Sequence, residues 1–142
     1  MPTYFVYHDA GALKFEQKQS IATAIVDAHV SSTNAPRFFV KVIFRSCDQG
    51  DMFSGGVLDQ SILQVVGYIR TGRDAWRRMK LAKALHENIA LHAWATQFKI
   101  GIQLLERPAE NVFIEGAPMP QPGSDEETLC RELGFVPKEL KQ

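Results

Sequence analysis

Twice along this chain the hydrophobic residues recur with the period of a strand, then of a helix, then of a strand again. Pro2 to His8 (PTYFVYH) is β-branched and aromatic, which predicts a first strand. From Lys14 to about Ser31, Ile21, Ala24, Ile25 and Ala28 fall at three- and four-residue spacing, the mark of one helix face. Asn34-Ala-Pro36 ends that helix, because a residue before proline avoids the α region. Phe38 to Arg45 (FFVKVIFR) predicts a second strand with Val40, Val42 and Phe44 on one face. Ile62 to Ile69 (ILQVVGYI) predicts a third, apolar enough to be covered on both faces. A second helix is expected from Asp74 to about Trp94, burying Trp76, Met79, Ala82, Leu85, Ile89 and Ala93, and a fourth strand over Ile100 to Glu106. A strand–helix–strand run pairs its strands in parallel through a right-handed crossover. The expected fold is therefore α+β: two β-α-β units forming a four-stranded mixed sheet, with both helices on one face.

At 142 residues the chain is expected to form a single domain, 1–142, with units 2–46 and 62–106 and a C-terminal extension, 107–142. In the loop between the units, Gly50 and Gly55-Gly56 mark bends. In the extension, Pro118, Pro120, Pro122 and Gly123 interrupt regular structure, and a short strand is expected over Asn111 to Glu115. Ser124 and Glu127 have the spacing of a capping box, so a short helix should run through Leu129 and Leu133 and stop at Gly134. The tail from Val136 to Gln142 is expected to be mobile. Sixteen basic side chains balance sixteen acidic ones, which argues against a general nucleic-acid or anionic-membrane binder. No run approaches the roughly 20 apolar residues of a membrane span, and the N-terminus lacks the basic region of a secretory signal. Cys47 and Cys130 lack metal-site spacing and read as free thiols, so a cytoplasmic location is expected.

Chemistry-bearing residues are few. Removal of Met1 would leave Pro2 with a secondary amine at the chain terminus. Burial and nearby cations both favour the neutral form of an amine, and a neutral amine fixed on a strand is a general base. Against this, Met-Pro is also an ordinary start for a chain. Arg70 and Arg73 stand where the third strand meets the second helix. Cations oppose the dipole at a helix N-terminus unless an anion lies among them, and guanidinium groups suit carboxylates; a solvated basic face is the alternative. His29 can serve the C-terminus of the first helix or point into a site beyond it. Glu106 and Glu115 flank the loop after the fourth strand and could polarise water or remain exposed charge, and Gln103 can face either side of that strand. The histidines lack metal-ligand spacing, and no metal site is expected.

Together, Pro2-Thr-Tyr4, the stretch from Ala24 to His29, Val42 to Phe44, Phe53 to Val57, Arg70 to Arg73 and Pro120 to Gly123 resemble the tautomerase superfamily. The nearest group is that around cis-3-chloroacrylic acid dehalogenase, and the resemblance covers residues 2 to about 123. It implies a cofactor-independent enzyme, assembled as a homotrimer with sites at subunit boundaries and acting on a small carboxylate. Carried over, Pro2 is the acid or base, Arg70 and Arg73 hold the carboxylate, and His29 assists. Two departures stand out. Gln103 occupies the place of a tyrosine, and the group's glutamate falls on Ile114, one residue before Glu115. A one-residue slip turns a side chain to the other strand face. The expectation is thus 1,3-proton transfer in a small enol or 2-oxo acid. The alternatives are hydration or hydrolytic dehalogenation of a 3-substituted acrylate, with Glu115 or His29 activating water, and a non-catalytic binding protein on the same scaffold.

Overall fold

A computed structural model of the chain describes residues 1–137. Strand β1 (Thr3–Asp9) leads into helix α1 (Phe15–Thr33) and strand β2 (Lys41–Cys47). A small hairpin follows, β3 (Phe53–Ser54) and β4 (Val57–Leu58). The second unit is β5 (Ile62–Arg70), α2 (Ala75–Ala90) and β6 (Lys99–Arg107). The extension adds a second hairpin, β7 (Phe113–Ile114) and β8 (Ala117–Pro118), and helix α3 (Asp125–Leu133).

The long strands form one sheet in the order β2-β1-β5-β6. Pairing is parallel within each β-α-β unit and antiparallel where β1 meets β5, which makes the sheet mixed. Tyr4 and Val6 of β1 and Leu63, Val65 and Ile69 of β5 face the helices. They pack with Ile21, Ile25 and Ala28 of α1 and Leu81, Leu85 and Ile89 of α2.

Three details differ from the sequence expectation. Phe38 and Phe39, expected to open the second strand, belong to a turn of 3-10 helix over Arg37–Phe39, and Phe39 is buried elsewhere than in the main core. Strand β5 is covered by helices on one face alone: its residues alternate between buried and half-buried. Helix α2 ends at Ala90, followed by a 3-10 segment over Ala93–Gln97, and its buried face is Leu81, Leu85 and Ile89. Trp76 and Met79, expected inside, are 66% and 57% exposed.

The extension builds a second, smaller core. Phe39, Ala117, Met119, Cys130 and Val136 bury one another, and Met1, Phe38, Val112 and Ile114 pack against them. Val136 and Pro137 are therefore buried rather than part of a loose tail; the rest of the expected mobile tail, residues 138–142, lies outside the described residues. Ser124 caps α3 by accepting from the Glu127 N–H at 3.2 Å, and Gly134 closes the helix in the left-handed conformation at φ 73°. Both cysteines are free thiols. No helix among the described residues is long and apolar enough to cross a membrane.

Candidate active site

The start of β1 and the end of β5 lie side by side because the two strands are antiparallel. Thr3 pairs with Tyr68 and Tyr4 with Gly67, so the register continued backwards sets Pro2 beside Ile69 and Met1 beside Arg70. On the other side, the Lys41 N–H donates to the Pro2 carbonyl at 2.9 Å, which fixes the strand start against β2. Pro2 is buried. The extension closes over it, with Met1 packed against the Phe39 cluster. The amine of Met1 is lowered to about 5, first by burial and then by the charge of Arg70. At neutral pH an amine in this position carries no charge.

Arg70 is almost wholly enclosed. Its Nη1 donates to the Pro120 carbonyl at 2.6 Å, its guanidinium lies 5.6 Å from the centre of the Phe39 ring, and its Nη2 forms an ion pair with Glu127. Arg73 is buried beside it, and its Nη1 donates to the Arg70 carbonyl at 3.1 Å. The Arg73 Nη2 and the Arg70 Nε are buried with no hydrogen-bond partner among the described residues. Burial and the neighbouring Arg70 lower the pKa of Arg73. The dipole of α2 is met separately: the Asp74 carboxylate accepts from the Arg77 N–H at 2.8 Å. Gly72, at φ 126°, permits the turn that brings both arginines to one place.

His29 does not serve the end of α1, which is closed by Asn34 in the left-handed conformation. It is fully buried, with Nδ1 2.7 Å from the Tyr4 hydroxyl and its ring edge-on to the tyrosine. Burial, with Arg73, Arg70 and the chain terminus adding to it, lowers its pKa to about 3. The same burial raises the Tyr4 phenol. Both groups are therefore neutral at ordinary pH, and the His29 Nε2 has no partner among the described residues. Together the chain terminus, Tyr4, His29, Arg70, Arg73 and Glu127 make one buried cluster of polar groups. Two unpaired guanidinium nitrogens and a neutral imidazole next to a neutral amine can seat an anion and exchange a proton with it.

The other candidates are not members of this cluster, although Glu106 lies at its margin. Gln103 is exposed on the sheet face away from the helices, paired with Val66. It lies four residues before Arg107, the strand partner of Arg70, or about 13 Å along β6 at about 3.3 Å per residue. Glu115 and Gly116 form the turn of the β7–β8 hairpin, at φ 48° and 84°, so Glu115 is exposed while Ile114 is half-buried. Glu115 shares a cavity of about 280 Å³ with Lys41 and Phe135, and neither arginine lines it. Glu106 pairs with Arg78 at 3.1 Å. A larger open groove, about 640 Å³ beside Glu16, Asp27 and His92, holds none of the cluster residues. Two cluster members were not singled out from the sequence. Tyr4 reads there as a strand residue and Glu127 as a cap, and only their long-range partners reveal more.

The model of a family described as "Putative oxalocrotonate tautomerase enzyme" matches residues 1–133. The chain belongs to this family. Among solved structures this tautomerase-family chain is similar to N1, a member of the cis-3-chloroacrylic acid dehalogenase family. That match has 26% identity, covers 98% of this chain and 95% of that one, and has a TM-score of 0.82. RhCC from Rhodococcus jostii RHA1 shares the fold at 21% identity, over 94% of this chain and 96% of its own, with a TM-score of 0.80. A fused 4-OT in an asymmetric trimer shares it at 22% identity, over 82% of this chain and 94% of its own, with a TM-score of 0.72. No curated protein matches the chain.

Proposed function

We propose that this tautomerase-family chain is a cofactor-independent enzyme that moves a proton within small enol or 2-oxo carboxylic acids, with the Pro2 amine as general acid and base. The observation that carries this reading is the buried start of β1, where burial and Arg70 hold the terminal amine of Met1 uncharged and the unpartnered nitrogens of Arg70 and Arg73 lie in the same cluster. With Met1 removed, the terminus becomes the secondary amine of Pro2, one residue further along β1 and itself buried, where burial and the nearby cations likewise favour the neutral form. Its lone pair accepts a proton from the enol hydroxyl of the bound acid. The electrons move into an enolate, and the resulting ammonium returns the proton to carbon, giving the 2-oxo acid. Arg73, supported by Arg70, holds the carboxylate and stabilises the charge that develops next to it, a contribution of about 3–4 kcal/mol per well-placed donor. His29, neutral and steadied by Tyr4, offers a polar contact to the same substrate.

Trimeric relatives support a homotrimer for this chain. In such an assembly Gln103 reaches the substrate of a neighbouring copy, from the sheet face that the helices leave uncovered. Tautomerisation of phenylenolpyruvate by protein lacking Met1 tests the reading: turnover is expected, and its loss is expected in chains that keep Met1 or carry an acetylated terminus. Equal rates with a blocked terminus would refute a role for the Pro2 amine. The similarity to a dehalogenase-family member supports a second reading, in which Glu115 or His29 activates water; chloride release from cis-3-chloroacrylate is its assay. Absence of turnover on every enol acid and acrylate would leave a binding protein.

A further inference from the structure

Two arginines buried side by side would ordinarily attract two negative charges, yet the chain itself supplies one of them. Glu127 and Arg70 pair with side chains that are each 1% exposed. Such a pair loses its hydration and persists only where the partners are held close. Glu127 is held at several points: its Oε1 accepts from the Gly123 N–H at 3.1 Å, and its own N–H bonds to Ser124. The carboxylate cannot swing aside without loosening the start of α3. Arg70 is thereby engaged by Glu127, Pro120 and Phe39, whereas Arg73 keeps a buried Nη2 without a partner. The remaining cluster members, Tyr4, His29 and the chain terminus, are neutral, and Glu106 at the margin is matched by Arg78. Arg131 lies 3.9 Å from the other Glu127 oxygen but is a third exposed to solvent, so within the enclosed cluster one positive charge, that of Arg73, remains uncompensated.

We propose that Glu127 is a specificity-determining residue that limits the site to substrates with a single carboxylate. It neutralises Arg70 from within the fold and leaves the charge of Arg73, beside the unpaired Arg70 Nε, to seat a single anionic group. A second carboxylate would be buried without a counter-charge and would meet Glu127 as a like charge, which is how a pocket rejects a competitor. The inference rests on the carboxylate site of the proposed function, but charge selectivity is read by binding and proton transfer by turnover.

The experiment measures dissociation constants of crotonate, with one carboxylate, and fumarate, with two, alongside phenylenolpyruvate turnover. It compares the unmodified chain with Glu127→Gln and with the double variant Arg70→Gln/Glu127→Gln. Glutamine keeps the acceptor for the Gly123 N–H. The unmodified chain should bind crotonate about tenfold or more tighter than fumarate, and Glu127→Gln should shift that ratio about tenfold toward fumarate. The double variant again has one net positive charge and should restore the original ratio. A preference for fumarate in the unmodified chain, no shift in a folded Glu127→Gln, or an unrestored ratio in the double variant would each overturn the proposal. If Glu127→Gln does not fold, the other two proteins still decide it. Selectivity without turnover in the unmodified chain would uphold the inference and refute the Pro2 mechanism; turnover without selectivity would do the reverse.

Discussion

His29 is enclosed by a phenol and two guanidinium groups, and its protonation costs the fold stability. Its pKa is about 3 in the folded chain, against about 6.5 for an ordinary histidine. Between those values only the unfolded chain takes up the proton, so the stabilising contribution is complete above pH 6.5 and is lost as pH falls toward 3. The slope from this one group is at most about 1.4 kcal/mol per pH unit. Urea unfolding at pH 7 and pH 5 should therefore show a smaller loss of stability in His29→Gln than in the unmodified chain; parallel losses would remove His29 from the account. The terminal amine gives a kinetic counterpart. A general base works only when unprotonated, so kcat/KM should rise with pH through the Pro2 pKa and then level off. Burial and Arg70, which lower the Met1 amine, should place that rise well below the range of a free secondary amine. A rise where an exposed prolyl amine titrates would mean that Arg70 and burial leave Pro2 untouched. Replacing Arg73 by Gln should weaken binding of carboxylates by about 2–4 kcal/mol while sparing uncharged ketones, measured as the change in KM or Kd. These residues were legible as types: a proline at position 2 and arginines at a strand–helix junction point to amine and anion chemistry. The ion pair of Arg70 with Glu127 was not, because nothing in local spacing links a β5 terminus to the first turn of α3.

Between elements, the closest approach of consequence is that of β1 and β5 at Gly67. A methyl group there would lie 2.5 and 2.8 Å from two carbons of the Tyr4 ring and 3.2 Å from Leu104. The ring has no room to retreat, since Tyr4 is fully buried and bonded to His29. Gly67→Ala should cost about 1–3 kcal/mol of stability by thermal or urea unfolding and should disturb the Tyr4–His29 contact. A stability within about 0.5 kcal/mol of the unmodified chain would show that the two strands can separate cheaply. At this scale the sequence reading was strongest in β-α-β order and weakest in helix rotation. Nine residues separate Trp76 from Leu85, two and a half turns at about 3.6 residues per turn, so they point to opposite sides of α2. Apolar content suggested that both belong inside, but periodicity allows only one of them to.

For the whole molecule, the face of the sheet that the helices leave uncovered is where the proposed assembly would form. Ile43, Phe5, Val66 and Gln103 form one row across its four strands, with Tyr7 and Leu105 flanking it. Ile43, Tyr7 and Leu105 are more than a third exposed. Apolar patches of this kind mark protein–protein contacts. If the proposed trimer uses this face, Ile43→Lys should yield monomers in sedimentation equilibrium and lower turnover together, since Gln103 then has no neighbouring site. Trimers that survive the substitution would place the interface elsewhere. The nearly apolar reading of β5 belongs here too: its second face is half-buried in the single chain, and the proposed trimer would cover it.

By itself the sequence determined the succession of the four long strands, their parallel pairing within each β-α-β unit, both crossover helices and the capped helix of the extension. These follow from periodicity, proline placement and caps, which act over a few residues. It also marked Pro2, His29, Arg70 and Arg73 as the residues with chemistry to offer. Only the tertiary structure decided which of them share an environment and in what charge state. Antiparallel pairing of β1 with β5 brings the chain terminus to Arg70, folding of the extension buries both, and desolvation then discharges the amine and the imidazole. Desolvation depends on everything packed around a group, and so no local pattern encodes it.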